Sequence, residues 1–92
     1  MYALVGTAKL DASRQDEAVA VAKSILANIS QAPGFVSGVF TRSTDGTAGR
    51  SMIVFESEEA ARAVAEKAQG MIPDGAPTEI VTLEVFEVVD KL

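Results

Sequence analysis

A chain of 92 residues makes one domain that buries roughly 60–65% of its extended-chain surface on folding, so its core is thin. Thirteen Asp and Glu against eight Lys and Arg give a net charge of −5, and no two basic residues are adjacent, so nucleic acid is not an expected partner. The absence of Cys removes thiol nucleophiles, disulfides and thiolate metal sites, and the absence of His removes the commonest metal ligand and the commonest general base at neutral pH.

Tyr2 to Leu10 is apolar on both alternating sets, the pattern of a central strand covered on both faces. Asp11-Ala12-Ser13 supplies capping chemistry, with Asp16 three residues after Ser13, and predicts a helix from about Ser13. Ala18, Val21, Ala22, Ile25, Leu26 and Ile29 then form one buried stripe, with Lys23, Ala27, Ser30 and Gln31 pointing away. The helix stops at Pro33-Gly34, where proline cannot continue it and glycine can take the positive φ of a C-terminal turn.

Phe35 to Ser43 alternates as a strand, and Ser43 to Gly49 contains the Asp45-Gly46 step of a hairpin leading into a strand over Arg50 to Glu56. Ser57 with Glu58 and Glu59 caps a second helix, whose inward stripe of Ala60, Ala61, Val64, Ala65 and Ala68 is almost all alanine before Gly70 closes it. Met71 to Thr78, with Pro73, Gly75 and Pro77, is an irregular connection. Glu79 to Val89 alternates again, Val81, Leu83 and Val85 against Ile80, Thr82, Glu84, Phe86 and Val88. The order is β-α-β-β-α-β, an α+β ferredoxin-like arrangement with a four-stranded antiparallel sheet and both helices on one face.

That arrangement leaves the second sheet face without a cover inside the chain, although the first and last strands are apolar on both sets. The last strand is also long, rich in Val and free of Pro, an edge that proteins usually hide. A second copy of the chain would cover face and edge together, so a homodimer is expected. The opening residues Met1 to Ala8 lack the basic start of a signal peptide, and no apolar run reaches about 18 residues, which together predict a soluble cytoplasmic protein with no membrane partner.

A first strand at the N-terminus, a helix ended by Ala32-Pro33-Gly34-Phe35, a hairpin, and Val54-Phe55-Glu56-Ser57-Glu58-Glu59-Ala60-Ala61 opening the second helix carry a resemblance across nearly the whole chain. The sequence resembles the dimeric α+β barrel superfamily, nearest to its antibiotic biosynthesis monooxygenase-like members. The resemblance implies two sheets packed face to face as a barrel and a pocket between each sheet and its helices. It also implies a cofactor-independent monooxygenase acting on an aromatic or polyketide-like molecule, since such oxygenases and haem-degrading enzymes are among the family's members. Those enzymes tend to use Asn, Trp and His or Tyr, whereas this chain has no Trp or His and carries Val5-Gly6-Thr7 where the haem degraders have Asn. No catalytic residue is carried over.

The polar candidates for ligand binding are Asn28, at the margin of the first helix's stripe, and Tyr2, whose phenol suits a pocket mouth. Their plainer readings are a solvated boundary residue and a packed strand residue. Arg42 and Arg50 flank the hairpin and suit a carboxylate ligand, but pairing with Glu residues across the strands, or solvation, is the expected state. Met52, Phe55, Phe86, Phe40 and Phe35 read as core, Glu84 as an interface residue, and the acidic residues show no metal-ligand spacing. No cofactor and no metal are expected. Two classes of function follow: the oxygenase just described, with the substrate supplying the electrons, or a non-catalytic dimeric binding or structural protein, which the missing His, Trp and Cys favour.

Overall fold

In the computed structural model, which describes residues 1–92, the elements run β1 (Tyr2–Leu10), α1 (Gln15–Ile29), β2 (Phe35–Arg42), β3 (Ala48–Phe55), α2 (Glu58–Lys67) and β4 (Thr78–Glu87). Short 3₁₀ turns at Ala12–Arg14 and Ala68–Met71 lead into α1 and out of α2. The sheet is antiparallel with strand order β2-β3-β1-β4, so β1 is central as its doubly apolar sequence requires. This is the ferredoxin-like α+β fold. No helix is long and apolar enough to cross a membrane.

The first helix starts later than its capping residues suggest. Asp11, in extended conformation, accepts from the Ser13 backbone N–H at 3.0 Å and from its hydroxyl at 2.6 Å, so it caps a 3₁₀ turn and α1 proper begins at Gln15. At the other end Gly34 adopts φ 81°, and its carbonyl accepts from the Glu56 N–H at 2.8 Å. A Cβ on Gly34 would also come within 3.0 Å of the Ala60 methyl. The corner is thereby held against both the end of β3 and the first turn of α2, which Ser57 caps by accepting from the Ala60 N–H.

The two helices pack to different depths on the same sheet face. On α2, Ala61 is fully buried and Val64 and Ala68 nearly so, against Leu4, Ile53 and Phe55. Phe35 meets Phe55 edge to face with centroids 6.3 Å apart. The alanine stripe therefore serves close approach. On α1 only Ala18 and Ile29 are buried, and Val21, Ala22, Ile25 and Leu26 between them stay half-buried.

The sheet's second face departs from simple alternation. Ala8 pairs with Ile80 and Thr7 with Thr82, so Val81 is an extra residue that breaks the phase of β4. Ile80 thus joins Leu83 and Val85 toward the helices, and Val81 is turned out to solvent. Nor do Met52 and Phe86 belong to the core: they pair with Val5 and Ala3 on the outer face and are each 49% exposed. Val39 lies beside Met52 and is exposed too.

Only 14 of 92 residues are buried, and the accessible surface of 5806 Å² is about 700 Å² more than the ~5,100 Å² that surface scaling gives for a 9.6 kDa monomer. The open cavity side, the projecting C-terminal residues Val89 and Leu92 and the outer sheet face with Val39, Met52, Val81 and Phe86 all expose apolar surface.

In the β2–β3 loop the Asp45 carboxylate accepts from the Ser43 and Thr47 hydroxyls and the Thr47 N–H, which lowers its pKa from 3.8 to about 2. A depressed carboxylate stabilises the fold above its unfolded pKa and loses that contribution as pH falls through its folded value. The stability advantage of wild type over Asp45→Asn should be full at pH 6 and shrink between about pH 4 and pH 2, read by urea unfolding at each pH. By the same measurement at neutral pH, Ala61→Leu should cost about 1–3 kcal/mol by overpacking.

Candidate functional site

Larger side chains in the middle of α1 hold it off the sheet, and the gap is a cavity of about 430 Å³. Its floor is the helix-side face of the sheet: Leu4 and Gly6 of β1, Ser51 and Ile53 of β3, and Ile80 and Leu83 of β4. Its roof is α1, from Ala18 to Ile29, and Phe40 and Arg42 of the edge strand β2 form one wall. Two glycines shape it. A Cβ on Gly38 would sit 2.9 Å from Leu26 Cδ1, so this glycine lets α1 rest on β2. A Cβ on Gly6 would sit 2.7 Å from Ser51 Oγ, so this one clears the floor for a hydroxyl.

The lining is mainly apolar, with few polar groups. Ser51 Oγ makes no hydrogen bond within the protein and is not sealed from solvent, so it is free to meet a ligand. Ser51 shares a strand face with Ile53 and Phe55, and its register opposite Gly6 shows it open. Lys23 lines the cavity instead of pointing away, because the flank of α1 bearing Val19 and Leu26 overhangs the mouth. Arg42 and Arg50 are parted by register: Arg42 is level with Gly49 on the helix side, whereas Arg50 is level with Thr7 on the outer face and donates to the Gly49 carbonyl at 2.8 Å. Neither forms an ion pair with a Glu.

The two expected ligand-binding residues lie elsewhere. Asn28 is exposed on α1 and is not part of the lining, being carried round the helix toward solvent. Tyr2 is half-buried against the core cluster and also lies outside the lining. Neither is brought to the cavity.

The same backbone arrangement recurs in solved structures. SnoaB, a cofactor-independent oxygenase from Streptomyces nogalater, matches with a TM-score of 0.75 at 16% identity, over 99% of this chain and 95% of that one. The fold is that of the antibiotic biosynthesis monooxygenase-like proteins. The haem degrader MhuD of Mycobacterium tuberculosis, solved with two haems in its active site, matches with a TM-score of 0.76 at 20% identity, over 100% and 99% of the two chains. A Streptomyces coelicolor monooxygenase in complex with nanaomycin D matches with a TM-score of 0.61 at 24% identity, over 99% and 89%. No protein-family model matches the chain, and no curated protein does.

Within this monooxygenase-like fold the cavity does not suit haem. Its lining contains no His, Cys, Tyr or Met, the usual protein ligands of haem iron. Nor do acidic residues gather anywhere into a group that could hold a metal ion. The polar and packing roles of the lining separate by mutation. Ser51→Ala should leave unfolding stability within about 0.5 kcal/mol of wild type, because no internal hydrogen bond is lost. Ala22→Leu should be tolerated or stabilising, in contrast to Ala61→Leu, because its side chain grows into open space.

Proposed function

We propose that this protein is a homodimeric small-molecule oxygenase that uses no cofactor, and that it binds an aromatic or polyketide-like substrate between α1 and the sheet. The observation that carries the reading is the cavity itself: half-enclosed, apolar, with the free Ser51 hydroxyl on its floor, in a fold shared with SnoaB and the nanaomycin D-bound monooxygenase. Neither a His nor a carboxylate lines it, and Lys23, its one amine, lies exposed on α1 rather than on the floor beside Ser51. The substrate must then ionise readily, as an anthrone or quinol does. Its carbanion or phenolate gives the electrons to dioxygen. For an anthrone, the reacting CH₂ and O₂ become C=O and H₂O, with the substrate as sole reductant. The chain's part is to exclude water with the α1 and β4 side chains and to orient the ring, with Ser51 Oγ as a hydrogen-bonding partner for a ring oxygen.

The dimer half of the proposal rests on the outer sheet face, where Val39, Met52, Val81 and Phe86 are exposed.

A second reading, a non-catalytic dimeric binding protein, is favoured by the same lack of a His or carboxylate in the cavity. Oxygen uptake with a panel of anthrones and quinols separates the two. Catalysis predicts consumption faster than buffer, at least tenfold reduced in Ala22→Leu, and retained in Asn28→Ala and Tyr2→Phe. Uptake no faster than buffer across the panel, with binding of the same compounds intact, would establish the binding protein instead. Sedimentation equilibrium at micromolar concentration should give about twice the 9.6 kDa chain mass, falling to the chain mass in Met52→Glu.

A further inference from the structure

Every ionisable residue along the cavity is basic, in a chain whose acids outnumber its bases 13 to 8. With Arg50 turned to the outer face, Lys23 and Arg42 remain as the charges of the site. The fold brings both to the lining of one cavity. After the Pro33-Gly34 corner, β2 runs back beneath α1, and Leu26 rests on Gly38. Lys23, one turn before Leu26 on α1, and Arg42, on the same strand face as Gly38, both line the cavity. Both side chains are exposed, and neither takes part in an ion pair or side-chain hydrogen bond; the ion pairs of the structure are Arg14–Glu17 and Arg62–Glu58.

Two cations without a counter-ion at the edge of an apolar space repel one another and attract an anion. Solvation alone would explain either one singly, but not the lack of any carboxylate along the whole lining. Resting on the small-molecule reading above, we propose that the ligand is an amphiphilic carboxylate: an apolar ring body inside the cavity and a carboxylate at the mouth, taken by the Arg42 fork with Lys23 as a second point charge. Such a ligand supplies the missing counter-ion, and its apolar body replaces water over Leu4, Ile53 and Leu83. Specificity then comes from the mouth, since the apolar floor accepts any ring of suitable size.

The test is fluorescence titration of the full chain with 2-naphthoate and with its neutral methyl ester, at low and high salt. The carboxylate should bind at least tenfold more tightly at low salt, and the gap should narrow as salt rises. Arg42→Gln and Lys23→Gln should each weaken the carboxylate severalfold while leaving the ester unchanged, and Lys9→Gln, on the outer face, should alter neither. Equal affinity for acid and ester would overturn the anion reading and leave the small-molecule reading standing. Binding of neither probe would overturn both, and Ala22→Leu, which fills the cavity without touching the charges, should abolish binding of both.

Discussion

Side-chain volume on the two helices sets the heights at which they cross one sheet face, and the site depends on that difference. Methyl groups on α2 allow contact close enough to bury Ala61 completely. On α1 the branched residues Val21, Ile25 and Leu26 cannot all descend, since Leu26 already meets β2 at Gly38. The helix is docked by Ala18 near one end and Ile29 at the other, and the space between is what remains when neither end can move inward. Close packing elsewhere makes the gap notable, because interiors of this size rarely leave room for more than a few waters.

Charge follows the same division. Glu58 and Glu59 sit at the start of α2 and Asp45 in the β2–β3 loop, where Glu58 pairs with Arg62 and Asp45 accepts hydrogen bonds. The bases nearest the cavity have no such partners. A chain that is acidic overall can thus present a locally cationic opening, and at physiological ionic strength exposed charges are felt only within about 8 Å, so the local set governs what enters.

Much of the architecture was legible because it depends on local chemistry. Pro33-Gly34, Ser57 and the Asp45-Gly46 step marked corners that the structure keeps, and the doubly apolar β1 correctly signalled a central strand. What failed were inferences needing register. One extra residue at Val81 reversed the phase of part of β4, and Met52 and Phe86, apolar and therefore read as core, fell on the outer face. The cavity was not legible for a related reason. Asn28 and Tyr2 were singled out as polar or amphipathic residues near apolar ones, but a lining is decided by which backbone segments stand apart, and neither helical spacing nor strand alternation reports the distance between α1 and the sheet. Ser51 has no unusual sequence context; only its alignment with Gly6 across two strands gives it an open approach.

The cavity and the exposed apolar patch occupy opposite faces of a single sheet. An assembly formed through the patch would leave both helical layers on the outside, with each opening beside its own β2. No residue of one copy would then reach the other's ligand, and four strands would separate each bound molecule from the seam. Stoichiometry would be one ligand per chain, and successive binding events would be independent, giving a simple hyperbolic isotherm. Subunit association in this design supports the floor of the site from below without forming any part of its walls.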